Sequence, residues 1–255
     1  MKSAIYKEAK YYEVAFSFID RKKQADLFES FIKKYSKTKV TTVLDLACGP
    51  APQLREMAKR NYKAMGMDIS ADMIAYLQQS AQDEKVEIEA IKGDMNDFKL
   101  KEKVDFAFIM MGSIIYVGKN NSDMLAHLDA VAESVKPGGL YLIENLAINW
   151  TTPDFFKPQV WIMKEGGIKV KTTYKITPRD PLKQIVRQYI KLEVNDNGKR
   201  TEYIDEDDLK IIFPEEFKLL VEINSKFEFL GFFEREKNKI LKEISPDNIV
   251  LLRRK

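Results

Sequence analysis

The stretch that most constrains this chain runs from Val43 to Pro52 and reads Val-Leu-Asp-Leu-Ala-Cys-Gly-Pro-Ala-Pro. An apolar, β-leaning run from Val40 to Leu46 stops in a turn of small residues, and an amphipathic segment predicted as a helix over 52–61 follows. Strand, tight turn and helix in that order open a nucleotide-binding α/β unit. Small residues in the turn let a ligand approach the backbone, and Gly49 can take dihedrals closed to residues with a side chain. Pro52 suits the first helical turn, where its missing N–H would have no intrahelical partner.

The pattern downstream extends this unit. Residues 62–68 read as a second strand, with Ser70 as N-cap of a helix over 71–82 and Asp72 set in its first turn to suit the helix dipole. Val86, Ile88 and Ile91 mark a third strand ending at Gly93-Asp94. The near-continuous apolar run Val104 to Met111 is what a strand buried on both faces looks like. A helix over 121–135, a turn at Lys136-Pro137-Gly138-Gly139 and a strand over 140–143 complete the alternation. The expected fold is α/β: a doubly wound, Rossmann-like, seven-stranded and mostly parallel sheet. Two helices over 4–36 precede it.

After residue 146 the period changes from helical to alternating. Hairpin signals at Gly166-Gly167, Pro178 to Pro181 and Asn197-Gly198 separate segments in which Val186, Ile190, Leu192 and Val194 share one face. This predicts an antiparallel β insertion after strand five, residues 147–213, with the core formed by 1–146 and 214–255. A helix over 214–223 and strands over 227–234 and 249–252 return to the core, and Arg253-Arg254-Lys255 reads as a solvated terminus.

Composition narrows the function. In 255 residues, 42 basic against 39 acidic side chains leave a net charge of +3, which gives no electrostatic support for nucleic acid or an anionic membrane. One cysteine and one histidine offer neither a disulfide framework nor a metal site. The apolar run Phe106 to Val117 falls short of the roughly 20 residues that cross a bilayer. The N-terminus, broken by Lys2, Lys7, Glu8 and Lys10, lacks the apolar stretch of a signal peptide. A cytoplasmic protein is expected.

The dinucleotide fingerprint G-x-G-x-x-G is poorly matched, since the turn supplies Gly49, Ala51 and Leu54. Asp45-x-Ala47-x-Gly49-x-Ala51 instead resembles motif I of the class I S-adenosylmethionine-dependent methyltransferases, with two of its three glycines replaced by alanine. Asp68 at the end of the second strand, Gly93-Asp94-Met95 after the third and Lys136 to Gly139 before the fifth recur in that family's order. The resemblance implies that Asp68 takes the ribose hydroxyls, that Asp94 and Met95 read the adenine edge, and that Ile69 and Met73 flank its ring. It also implies that Asp45, Ala47 and Gly49 form the methionine end, Asp45 by fixing the turn's backbone. The alternatives are helix capping for Asp68, an ordinary turn residue at Asp94 and core packing for Ile69 and Met73, with the ligand roles preferred. Tyr11 or Tyr12 would cover the donor, a tyrosine face suiting a sulfonium cation, and Arg21 could pair with its carboxylate. After the fourth strand, Met111, Ser113 and Tyr116 would lie beside the reacting methyl group, Ser113 and Tyr116 orienting an amine or hydroxyl; Glu144 and Asn145 are further contacts. His127 reads as a surface or boundary residue.

At a finer level the Tyr-rich start, Ser113-Ile114-Ile115-Tyr116 and the insertion resemble small-molecule enzymes, the sugar N-methyltransferases and more distantly glycine N-methyltransferase. That implies S-adenosylmethionine as cofactor, S-adenosylhomocysteine as product, a small-molecule acceptor, and an insertion that lies over the site or forms a homodimer, with Trp161, Tyr174, Tyr189 and Tyr203 as its aromatic surface. An RNA methyltransferase remains a rival, although the Asn/Asp-Pro-Pro-Tyr/Phe motif is absent at Met110 to Ser113. A non-catalytic protein that binds the donor is the other.

Overall fold

The structure is a computed structural model and describes residues 4–146, 156–243 and 248–255. Five parallel strands form the core: β1 (Thr42–Leu46), β2 (Lys63–Asp68), β3 (Ile88–Lys92), β4 (Val104–Ile109) and β5 (Val135–Glu144). With β10 (Phe227–Glu234) and β11 (Asn248–Arg254) they make one seven-stranded sheet in the order β10-β11-β5-β4-β1-β2-β3, in which β11 runs antiparallel to both neighbours. The chain leaves β1 towards one edge and returns beside it as β4. Loops at the carboxyl ends of β1 and β4 therefore diverge and leave a crevice.

Burial on both faces explains the apolar strands. One face packs Leu44, Met65, Ala107 and Tyr141 against α5 (Asn121–Ser134) and α6 (Pro214–Asn224). The other packs Val43, Phe106, Phe108 and Leu142 against α2 (Arg21–Tyr35), α3 (Pro52–Lys59) and α4 (Ala71–Asp83), with Phe28 and Phe31 of α2 fully buried. The expected Ser70 cap forms, its hydroxyl accepting from Met73 N–H, and Asp20 caps α2 through Lys22 and Lys23 N–H.

The insertion is a separate four-stranded antiparallel sheet in the order β6-β7-β8-β9, built from β6 (Gln159–Glu165), β7 (Ile168–Asp180), β8 (Ile185–Asp196) and β9 (Lys199–Lys210). Its inner face, with Val170, Leu192 and Val194, packs on α1 (Ala9–Ala15) and on the short 3-10 turn Ile5–Lys7 before it. The outer face carries charged residues in ladders such as Ile162–Lys171–Glu193–Glu202, beside the ladder Val160–Thr173–Lys191–Ile204.

Five expectations change. Lys136 to Gly139 is not a separate turn; it enters β5 as an irregularity opposite β4, with Gly138 left-handed at φ 82°, and it is tied down by Lys136 Nζ 2.8 Å from Asp105 and by Lys37 N–H donating to Gly138 O at 2.9 Å. The turn placed at Pro178 to Pro181 begins later, since β7 continues to Asp180, and Gln184 N–H closes it on Pro181 O. The last strand of the insertion, expected over 200–204, runs on as β9 through Asp205-Glu206-Asp207-Asp208, which pair fully with β8. Arg253 and Arg254 are strand residues: Arg253 pairs with Glu228 and donates to Tyr35 O, and Arg254 donates to Ala132 and Lys226 carbonyls. His127 is fully buried, its Nδ1–H donating to Met95 O at 2.9 Å and its Nε2 accepting from the Tyr141 hydroxyl at 2.7 Å. Burial drops its pKa to about 4, so it stays neutral.

Candidate active site

A cavity of about 1380 Å³ opens at the carboxyl ends of β1, β2 and β4 and is roofed by the N-terminal segment and the inner face of the insertion. Its floor is the turn after β1. Ala47, Gly49 and Ala51 all have left-handed backbones, with φ of 50°, 52° and 52°. The turn is tied to β2 by Cys48 N–H donating to Met67 O, and closes on itself through Ala51 N–H to Cys48 O. A side chain added at Gly49 would meet nothing nearer than Met73 Sδ at 3.9 Å, so the space above this glycine is open.

Asp68, at the end of β2, lies beside this turn. One carboxylate oxygen accepts Gly49 N–H at 2.8 Å and the other accepts Ser70 N–H at 2.8 Å. Burial raises its pKa while the backbone N–H groups of Ser70, Gly49 and Ile69 pull it back. Asp45 is only 2% exposed and faces the cavity, and burial followed by the nearby Asp68 charge pushes its pKa up. No side-chain hydrogen bond from Asp45 to the turn is present among the described residues, so the backbone-fixing duty falls to Asp68. An uncompensated buried carboxylate is costly, and a bound cation facing Asp45 would relieve that cost.

The other predicted donor-side residues gather here. Ile69, 70% exposed, and buried Met73 line the same wall, as do Asp94 and Met95 beyond β3. Asp94 accepts Asn96 N–H at 2.9 Å, which shapes that loop. Tyr12 lines the roof, and burial raises its pKa. Arg21 reaches the cavity too but pairs with Glu84 at 2.8 Å. Tyr11 does not line it: its hydroxyl donates to Asp196 at 3.1 Å and its ring lies on Tyr203, so it joins the N-terminal segment to the insertion.

The far end holds Met111, Ser113 and Tyr116. The Tyr116 hydroxyl touches the Tyr6 hydroxyl at 3.0 Å and donates to Gln188 Oε1, while Gln188 Nε2 donates to the Tyr174 hydroxyl at 3.1 Å. Burial pushes Tyr116 up to about 12, so it stays protonated at neutral pH. This polar chain joins the core loop, the N-terminal segment and the insertion over one space. Tyr6 and Gln188 escape sequence reasoning, although Gln188 interrupts an otherwise apolar inner face of β8, which was a usable signal.

Glu144 is no cavity residue. It is 1% exposed and accepts Met111 N–H at 2.5 Å, Gln24 Nε2 at 3.4 Å and Arg235 Nε at 2.6 Å. Met111 has φ 56°, an uncommon conformation for a residue with a side chain, and Glu144 holds it there. No cluster of potential metal ligands occurs among the described residues.

Residues 43–139 match the family model described as a methyltransferase domain. The chain is 23% identical over 173 residues, 68% of this chain and 69% of the other, to the dTDP-3-amino-3,4,6-trideoxy-alpha-D-glucopyranose N,N-dimethyltransferase of Streptomyces venezuelae. Among solved structures, DesVI of Streptomyces venezuelae superposes with a TM-score of 0.80 at 18% identity, covering 97% of this chain and 98% of that one. CalS10 of Micromonospora echinaspora, an amino pentose methyltransferase solved with S-adenosylmethionine bound, superposes with a TM-score of 0.72 at 18% identity, covering 96% of each chain. At these identities the structural likeness is one of fold.

Proposed function

We propose that this chain, a class I S-adenosylmethionine-dependent methyltransferase, methylates an amine of a small molecule in the cavity between its sheet and its insertion. One observation carries the reading: the turn after β1 and Asp68 open into the same cavity as the Tyr116–Gln188 end, so a donor laid along the first would present its far end to an acceptor at the second. The donor, when bound, supplies a sulfonium-activated methyl group.

The residues fit that donor. The open space over Gly49 admits a chain close to the backbone, and the buried Asp45 carboxylate awaits positive charge. Asp68 would take the ribose hydroxyls with the oxygen lone pairs its two backbone contacts leave free. Asp94 and Met95 would meet the adenine edge, Ile69 and Met73 its faces, and Tyr12 would cover the sulfur. At the other end Ser113 and Tyr116 would orient the acceptor. What the chain contributes is alignment and exclusion of water by the roof, which is most of what methyl transfer asks.

The insertion belongs to this proposal as the acceptor-side wall. Its outer ladder, with Val160, Ile162 and Ile204 exposed, is the surface we assign to a second copy of the chain. No helix among the described residues is long and apolar enough to span a membrane, and we place the enzyme in the cytoplasm. Relatives named for dTDP-linked amino sugars make an amine the first acceptor to try. The test is Asp68→Ala: affinity for S-adenosylhomocysteine by titration calorimetry should fall by at least about tenfold, about 1.4 kcal/mol, and an unchanged affinity would overturn the assignment.

A further inference from the structure

The roof is acidic, and one of its carboxylates is unspent. Asp207 lies on the inner face of β9, directly across the ladder from Gln188 of β8. Neighbouring strands place such a pair roughly 5 Å apart, and Gln188 already holds the Tyr116 hydroxyl. Asp207 lines the cavity, half-buried, and makes no hydrogen bond or ion pair among the described residues. Its neighbours on the strand are engaged: Asp205 accepts Ala4 and Ile5 N–H at 2.8 and 2.9 Å, and Glu206 faces Arg187.

Of the four cations that line the cavity among the described residues, three are engaged. Arg55 is paired with Glu13 and Glu84, Arg21 with Glu84, and Lys10 lies 3.7 Å from Asp196. Lys7, exposed, stands at the rim. Lys119, Arg179 and Lys183 surround a different cleft, shared with Asp180 and Asp208. A diphosphate needs free Arg or Lys, or backbone N–H groups at a helix N-terminus. At the acceptor end it would meet Asp207 instead, and like charges brought together repel.

We propose that the acceptor is a positively charged small amine bearing no phosphate, and that Asp207, flanked by Gln188 and Tyr116, holds its reacting nitrogen. This rests on the methyltransferase reading above and departs from the nucleotide-linked acceptors of the named relative. The bound ammonium first gives one proton to water, and the nitrogen attacks as its free base: a C–N bond forms, the C–S bond breaks with its electron pair returning to sulfur, and the positive charge passes from sulfur to nitrogen. A fixed carboxylate beside that nitrogen stabilises charge that develops only as the methyl moves. The methylated ammonium then loses its proton to water.

The test titrates protein saturated with S-adenosylhomocysteine, whose own binding is measured first, so that failure of the donor reading shows before any acceptor is added. Free 3-amino-3-deoxyglucose and spermidine are compared with dTDP, in the native chain and in Asp207→Asn and Asp207→Lys. At least one free amine should bind, weaken by about tenfold or more in Asp207→Asn, and be lost in Asp207→Lys with donor affinity intact. Tighter binding of dTDP than of either amine, an amine affinity unmoved by Asp207→Asn, or no binding by any of the three would each overturn the proposal.

Discussion

Asp105 offers a measurement that separates one buried carboxylate from the rest of the fold. It is 1% exposed at the start of β4 and accepts Thr41 N–H at 2.9 Å, Thr42 N–H at 3.0 Å, both threonine hydroxyls and Lys136 Nζ at 2.8 Å. Burial works to raise its pKa, but Lys136 and the threonine donors outweigh it and hold the group at about 2, below the ordinary 3.8. A carboxyl whose pKa is depressed by folding stabilises the native state above its unfolded pKa and loses that contribution as the pH falls through the folded one. The difference corresponds to about 2 kcal/mol at neutral pH. Lys136 is 43% exposed, so solvent screening brings the figure to about 1–2 kcal/mol. Asp105→Asn keeps the shape and removes the charge. Urea unfolding of both proteins should show a gap of that size at about pH 7, roughly half of it at about pH 3, and none below about pH 2. A gap that is absent at neutral pH, or that persists undiminished into acid, would refute the argument.

Glu144→Gln removes the charge facing Arg235 inside the protein while keeping an acceptor for Met111 N–H; a loss of about 3 kcal/mol in urea unfolding is expected, and a loss within error of zero would show that the pair is dispensable. Gly66→Ala would set a methyl 2.8 Å from Leu77 Cδ2 and 2.9 Å from Leu54 Cδ2; a cost of about 1–3 kcal/mol should appear as a lowered Tm, and an unchanged Tm would mean that α3 and α4 move aside freely.

The parts of this molecule that local chemistry decides were readable from the chain. The turn after β1, the Ser70 cap and the Gly166-Gly167 and Asn197-Gly198 hairpins depend on residues adjacent in sequence, and they form as expected. What escaped depends on register between distant segments. Asp207 meets Gln188 only because β9 continues past Ile204 through four acidic residues. Tyr6 reaches Tyr116 across 110 positions. His127 sits on a helix stripe where periodicity alone does not fix how deeply the face is covered, and the bond to Tyr141 is a feature of the packed sheet. Glu144, expected as a substrate contact just past the fifth strand, is instead the last residue of β5, and its direction, inward to Arg235 rather than out to the cavity, is set by the β10–β11 edge that closes over it.

The two alanines in the turn after β1 bear on how such a loop can be written. Ala47 and Ala51 occupy left-handed backbone at φ 50° and 52°, where a Cβ costs roughly 1–2 kcal/mol that glycine avoids. An alanine also narrows the unfolded ensemble, worth roughly 0.4–1 kcal/mol relative to glycine. The strain is the larger contribution and the entropic gain offsets only part of it, so each alanine leaves the native loop less stable than glycine would, from a less disordered starting chain. Alanine in place of glycine here trades native strain for a smaller entropic search.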